Sequence, residues 1–193
     1  MSEPPLAGIK ILDLTRLLPG PLCSLYLADL GAEVTKINDP VRGDYLKNIP
    51  PIKEKKSWSY LLLNRNKVSI KLNLKDQDDK EKFLQLSKDA DVIIESFRPG
   101  VTNRLGIDYS KIKKLNPKVV YCSITGFGQT GPLKDKGGHD INYLGYAGIL
   151  DQMIDQNNYK KIPNLQWADT AGGSLTACLG ILSALLSAKI KGE

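Results

Sequence analysis

The chain predicts a doubly wound α/β domain on a mainly parallel sheet, and three observations carry that prediction. Short β-type runs alternate with helix-type segments up to Ile124. The first two β-type runs are separated by a whole helical pattern rather than a tight turn, which demands a crossover connection. The helical patterns and β runs are punctuated by Gly and Pro, the residues that end regular structure.

Taken in order, Ile9-Lys10-Ile11-Leu12-Asp13-Leu14 is the first β run. A loop at Pro19-Gly20-Pro21 leads into a helical pattern through Leu22, Tyr26, Leu27 and Leu30. Gly31 closes it, as glycine does where a left-handed residue ends a helix. Val34-Thr35-Lys36-Ile37 is the second strand, and a right-handed crossover makes the two parallel. Residues 39–56, rich in Pro, Gly and Lys, read as a long loop. Lys67-Val68-Ser69-Ile70-Lys71-Leu72 alternates polar with apolar, as a strand with one wet face does. Residues 76–90 form a charged helix with Phe83, Leu84 and Leu86 on its apolar side. Asp91-Val92-Ile93-Ile94-Glu95 is a buried strand that runs into the turn Phe97-Arg98-Pro99-Gly100. Tyr109–Leu115 is a short helix, and Lys118-Val119-Val120-Tyr121-Cys122-Ser123-Ile124 another strand. Residues 171–190, apolar but interrupted by Gly and Ser, read as a buried helix; a membrane span wants about 20 predominantly apolar residues. The result is a Rossmann-like layer whose ligands bind beyond the carboxyl ends of its strands.

Composition narrows the function. A chain of 193 residues fits one domain, or one and the start of another. With 41% hydrophobic and 25% charged residues it is globular rather than disordered. The +6 charge, from 27 basic against 21 acidic residues, points to anionic ligands. The lysines are dispersed, whereas a nucleic-acid binder concentrates them in a stripe interleaved with aromatics, so no nucleic acid is expected. Cys23, Cys122 and Cys178 are odd in number and widely spaced; they form neither a disulfide framework nor a metal site, and free thiols in a reducing compartment are expected. The N-terminus, Met1-Ser2-Glu3-Pro4-Pro5, lacks a charged-then-apolar leader, so a cytoplasmic location and no membrane are expected.

Gly126-Phe127-Gly128-Gln129-Thr130-Gly131 follows a strand and has the dinucleotide spacing, but Pro132 and a loop come next. A dinucleotide fingerprint opens a helix whose N-terminus meets the pyrophosphate; nicotinamide and flavin are therefore not expected. Arg98, Arg104 and Lys75 stand at or after strand ends, where guanidinium and ammonium groups suit phosphates, though each also reads as a solvated surface charge. Arg65 and Lys67 carry the same ambiguity. His139, the one histidine, and Asp169 are the side chains best suited to taking and returning protons near neutral pH. Asp169 also stands where a helix N-cap belongs, and Asp140 either orients the imidazole or is a surface carboxylate. No Gly-x-Ser-x-Gly, paired histidines or Cys–His spacing competes.

These residues, in this order and spacing, resemble the family III CoA-transferases, the CaiB–BaiF family, and within it the α-methylacyl-CoA racemase branch. The pieces are Leu6-Ala7-Gly8-Ile9, Leu12-Asp13-Leu14, Pro19-Gly20-Pro21, Ala28-Asp29-Leu30-Gly31-Ala32 and Asn64-Arg65-Asn66-Lys67 with Leu72. They continue through the run from Ala90 to Gly100, Leu105-Gly106, Asn116-Pro117 and the glycine motif at 126–131. The branch rests on Gly138-His139-Asp140-Ile141-Asn142-Tyr143 and Ala168-Asp169. At Asn38-Asp39 the chain departs from relatives, which carry an acidic residue followed by a basic one.

The resemblance implies the activity and the site. In racemases the histidine matching His139 and the aspartate matching Asp169 are two acid/bases that epimerise a 2-methylacyl-CoA through an enolate-like intermediate. In transferases the same aspartate is the nucleophile that carries acyl group and CoA in turn. Coenzyme A, as part of the substrate and not a permanent cofactor, is expected near Arg16, Leu17, Leu18, Leu72, Lys75, Phe97, Arg98 and Arg104. Relatives run to roughly twice this length, so the chain is expected to be the amino-terminal part of the CoA-binding large domain. Residues 168–190 are then a helix leading to a linker and second domain. An interlocked homodimer, or a separate chain supplying that domain, is implied; so is a partner-dependent or non-catalytic fragment.

Overall fold

The computed structural model describes residues 2–154, 157, 159 and 161–191. Strand β1 (Lys10–Asp13) leads to helix α1 (Pro19–Asp29) and strand β2 (Glu33–Asn38). A 3₁₀ turn at Tyr45–Asn48 and a small antiparallel hairpin, β3 (Ile52–Lys53) with β4 (Lys56–Ser57), occupy the stretch expected to be loop. Then come α2 (Trp58–Leu63), β5 (Lys67–Lys71), α3 (Gln77–Lys88), β6 (Val92–Glu95), α4 (Val101–Leu105), α5 (Tyr109–Leu115) and β7 (Val120–Ser123). Beyond the sheet lie α6 (Asp140–Tyr146), α7 (Ile149–Gln152), a π-wound segment (Ala168–Leu175) and its continuation α8 (Thr176–Lys191).

The five-stranded sheet has the order β5-β2-β1-β6-β7, and every pairing in it is parallel. The fold is thus the α/β layer expected. Strands β1 and β6 are central, and Val92, Ile93 and Ile94 are fully buried, which is why the run 92–94 is continuously apolar rather than alternating. One core lies beneath α1 and α8, around Ile11, Cys23, Leu27, Ile94 and Ile181. The other lies beneath α3 and α5, around Leu12, Phe83, Ile93, Ile107 and Ile112. After β1 the chain winds outward to β2 and β5, then returns to the other side of β1 for β6 and β7. The carboxyl ends of β1 and β6 therefore flank the crevice where strand order reverses, the place such sheets bind ligands.

Local chemistry explains several boundaries. Helix α1 starts at Pro19, earlier than the loop expected there; a proline at the first helical position loses no hydrogen bond and has its φ preset. Gly31 has φ +102°, and a Cβ on it would lie 2.3 Å from Pro4 Cβ, so glycine is demanded there by conformation and space alike.

Beneath the sheet's carboxyl edge lies a buried ion cluster. The Asp13 carboxylate accepts from Thr15 N–H (2.8 Å), Thr15 Oγ1 and Ser24 Oγ (both 2.5 Å), and it pairs with Lys36 at 3.2 Å and Lys67 at 3.5 Å. Lys67 therefore neither meets a phosphate nor lies in solvent: its ammonium is enclosed and also donates to Pro21 O and Ser24 Oγ, each at 2.8 Å. Burial alone would raise the Asp13 carboxyl, but Lys36, Lys67 and the two hydroxyls outweigh it and hold it at about 2. Burial pulls the Lys67 ammonium down to about 8 against the attraction of Asp13.

The C-terminal helix differs from the buried helix expected. Cys178 and Ile181 reach the core, but Leu175, Leu179, Leu186 and Ile190 are exposed, because the described residues cover only the side of this helix facing α1 and β7. By length and composition alone, Ala168–Lys191 is also apolar enough to cross a membrane.

Candidate active site

At the switch point opens a cleft of about 1300 Å³. Its floor is made by the residues that follow three strands: Arg16 and Leu17 after β1, Phe97 and Arg98 after β6, and Ile124 and Thr125 after β7. Its far wall comes from the stretch before and within α6, from α7 and from the π-wound segment, and it carries both His139 and Asp169. The fold thus brings the two candidate proton-transfer residues to one cleft.

His139 is the N-cap of α6, with extended backbone (φ −125°, ψ 176°). Its N–H donates to Asn142 Oδ1 at 2.9 Å, and the Asn142 N–H donates back to the His139 carbonyl at 2.8 Å. The residue is exposed to the cleft. Tyr143 braces the approach: its hydroxyl donates to Gly138 O at 2.6 Å, and Phe127 meets its ring edge-on with centroids 5.3 Å apart. A Cβ on Gly126 would lie 2.3 Å from that ring. The first glycine of the motif therefore admits a tyrosine.

Asp169 is the second residue of the π-wound segment and is half-buried. It is not the N-cap expected of it; Trp167 occupies that position. Isolated π turns concentrate at functional sites because they turn a side chain out of the regular helical register. Here Ser174 Oγ donates to the Asp169 carbonyl and Thr176 Oγ1 to the Ala171 carbonyl, both five residues back, at 2.9 and 3.0 Å.

Asp140 also departs from expectation. It is buried, not a surface carboxylate, and the bond its Oδ1 accepts comes from the Asp169 N–H, at 2.9 Å. What it orients is the Asp169 backbone. Burial raises the Asp169 carboxyl above the ordinary carboxylate range, the Asp140 charge adds to the rise, and His139 opposes it. Burial, then the Asp169 charge, likewise push the Tyr143 hydroxyl up against Arg98, which keeps it a proton donor.

Of the residues expected near CoA, Arg16, Leu17, Phe97 and Arg98 line the cleft. Leu18 instead packs beside Leu25, Leu46 and Leu63, the Leu72 side chain is in the second core, and Lys75 and Arg104 are exposed outside the cleft. Arg65 pairs with Asp29 on the surface. Sequence reasoning missed Lys134 and Lys136, which add positive charge to the cleft, and Ala147, Ile149, Met153 and Trp167, which give it an apolar wall. For Ala147 and Ile149 the available signal was the helical periodicity of 140–152, a segment too short for the period to stand out; Met153 and Trp167 carried no local signal.

Residues 6–193 match CoA-transferase family III. Human succinyl-CoA:glutarate CoA-transferase is 39% identical over 170 residues, covering 88% of this chain and 39% of the relative. Human alpha-methylacyl-CoA racemase is 34% identical over 180 residues, covering 93% of this chain and 44% of the relative. The crystal structure of a CAIB/BAIF family protein from Brucella suis superposes with a TM-score of 0.92 at 34% identity, covering the whole of this chain and 52% of that one. The chain spans about half the length of the relatives it matches. With that match, and with the sheet and cleft above, the chain belongs to CoA-transferase family III.

Proposed function

We propose that the chain carries the proton-transfer pair and much of the substrate cleft of a cytoplasmic 2-methylacyl-CoA racemase. The observation that carries this reading is the meeting of His139 and Asp169 in one cleft, with the Asp169 carboxyl raised by burial and by Asp140. A carboxyl so raised holds its proton to higher pH than an exposed aspartate does, which suits proton return as well as removal. Neutral His139 takes the α-proton, and the C–H electron pair moves into the thioester to give an enolate-like intermediate. Protonated Asp169 then delivers its proton to the opposite face of the same carbon, leaving an imidazolium and a carboxylate. The opposite enantiomer runs the same steps backwards.

The developing oxyanion needs fixed donors. The Asp169 and Thr170 amides are already bonded, to Asp140 Oδ1 and Gln166 O. The donors therefore belong to the backbone at Thr125-Gly126 or Gly137-Gly138, which also lines the cleft. Arg16, Leu17, Phe97 and Arg98 hold the CoA portion. From the cleft its nucleotide end runs along the carboxyl edge of the sheet, past Leu72 and Lys75 beyond β5 and Arg104 on α4. The apolar wall of Ala147, Ile149, Met153 and Trp167 receives the acyl group, and remote binding of CoA fixes the acyl carbon between the two bases.

A second reading is CoA transfer between carboxylic acids, with Asp169 as nucleophile and His139 only lining the pocket. The higher identity to succinyl-CoA:glutarate CoA-transferase, 39% against 34%, favours it. Incubation with a 2-methylacyl-CoA in heavy water separates the two. Deuterium at the α-carbon without an acceptor acid supports racemisation; formation of the added acid's CoA thioester, with release of the 2-methyl acid and no exchange, sinks it.

The stripe Leu175, Leu179, Leu186 and Ile190 is exposed, and a partner covers it in the active enzyme, either a second copy in an interlocked homodimer or a separate chain. On this reading residues 1–193 alone, the amino-terminal part of a CoA-binding domain, turn over little.

A further inference from the structure

We propose that Lys36 is a positioning residue for the ligand-facing floor of the cleft: its buried ammonium, bonded to the Thr15 carbonyl, fixes the Arg16–Leu17 turn that meets the substrate. That the substrate is an acyl-CoA rests on the reading above; the positioning role does not.

The turn needs holding. Leu17 has φ +65°, a left-handed conformation that crowds a residue with a Cβ against its own carbonyl. Two side chains reach its amides, but weakly: Ser96 Oγ accepts from Arg16 N–H at 3.3 Å and Asp44 Oδ1 from Leu17 N–H at 3.4 Å, the long end of the hydrogen-bond range. A third tie is to the Thr15 carbonyl, which accepts from Lys36 Nζ while that ammonium also pairs with Asp13 at 3.2 Å. A charge-assisted bond of this kind is about twice as strong as a neutral one. On its other side Thr15 is locked through its N–H and hydroxyl to Asp13.

Stability alone gives no reason for this arrangement. Two ammonium groups and one carboxylate leave one buried positive charge uncompensated, and apolar residues of similar volume often serve the fold as well or better. The two lysines differ in what they hold. Lys36 reaches the turn that lines the cleft, whereas Lys67 reaches Pro21 O and Ser24 Oγ, in and near the first turn of α1. Removing either leaves Asp13 with one lysine and a balanced pair, so each variant is compatible with folding.

Lys36→Met and Lys67→Met therefore remove the same charge at similar depth but different contacts. Site-resolved amide hydrogen exchange on the 193-residue chain reads the difference. Lys36→Met is expected to speed exchange at Arg16 and Leu17 about tenfold, the loss of one such hydrogen bond, and Lys67→Met to leave both within about twofold of wild type. Equal effects of the two variants, or none from Lys36→Met, overturn the proposal, because a merely structural cluster treats the two lysines alike. If either methionine variant does not fold, Lys36→Gln against Lys67→Gln carries the same comparison with the same expected order. Calorimetry with acetyl-CoA adds the functional arm: about tenfold weaker binding in Lys36→Met alone is expected. Wild-type chain that binds no acetyl-CoA, with the exchange difference intact, overturns the acyl-CoA assignment for this chain and leaves the positioning role standing.

Discussion

The Asp140 carboxylate accepts the backbone N–H of Asp169 at 2.9 Å, so the residue beside the lone histidine anchors the segment carrying the other half of the pair. Two variants separate its contact from its charge. Asp140→Asn keeps an acceptor oxygen and removes the charge that helps raise the Asp169 carboxyl. In ¹³C NMR titrations the Asp169 midpoint should fall while the fold is unchanged; an unmoved midpoint contradicts the electrostatic role. Asp140→Ala also strands the Asp169 N–H, and urea unfolding should show a loss of about 1–3 kcal/mol.

The sheet was legible because burial writes itself into sequence. A strand covered on both faces is an unbroken apolar run, as at Val92-Ile93-Ile94; at the edge strand the alternation located the strand but not its faces, since Val68 is 68% exposed while the Lys67 ammonium is enclosed. The far wall of the cleft was not, because α6 and α7 are too short to display a period. Long-range partners were also hidden. Nothing local to Lys67 says that Asp13, 54 residues earlier, will enclose it, and nothing near Asp140 names Asp169 as its donor. Of the pair itself, sequence supplied the chemical types and the family motif, while the shared cleft came only from the fold.

Replacing either member of the pair should slow α-proton exchange into a 2-methylacyl-CoA by about 10²–10⁴-fold, the usual worth of one general base. His139→Gln and Asp169→Asn are the variants, assayed by deuterium incorporation against wild type. In the direction where Asp169 acts as base it must be ionised, so the rate should fall as pH drops through its folded midpoint. That midpoint lies above the ordinary carboxylate value because of burial and Asp140, so the acid limb should appear at higher pH than an exposed aspartate gives. Asp140→Asn should move the limb back toward lower pH.

Acid should destabilise the fold through Asp13. Its carboxyl titrates at about 2 when folded against an ordinary 3.8, so the unfolded chain binds the proton first as pH falls. The stabilisation is whole above about pH 4 and is lost as pH drops toward 2. A shift of that size is worth about 2 kcal/mol. Lys67 acts in a different window: its folded midpoint near 8 lies below 10.5, so between those values the unfolded state holds more protons and stability rises with pH. Denaturant midpoints measured from pH 2 to 10 test both slopes, and a flat profile below pH 4 would contradict the Asp13 assignment.

The exposed leucines of the C-terminal helix should govern association. Leu179 is 67% and Leu186 59% exposed, so replacing both with Gln removes apolar surface without opening the core. Sedimentation velocity should show less self-association for the double variant, with its melting temperature within a few degrees of wild type. A marked loss of melting temperature would place these leucines in the monomer's own packing.

Gly126 tests whether the glycine motif serves the histidine through Tyr143. A Cβ there would come within 2.3 Å of the Tyr143 ring, so Gly126→Ala must push the ring aside. The hydroxyl then loses the Gly138 carbonyl it now meets at 2.6 Å, and the turn that sets His139 at the N-terminus of α6 loosens. Overpacking of this kind costs about 1–3 kcal/mol, and the Tyr143 and His139 side-chain resonances should shift together. Gly172→Ala is the contrast: it faces the same cleft with no atom within 4 Å of the added carbon and no positive φ. Freed of both clash and strain, it should leave stability unchanged or raise it by about 0.4–1 kcal/mol. Equal melting temperatures for the two variants would mean that the tyrosine ring yields without cost, and that the motif's first glycine is not what holds the histidine's turn in place.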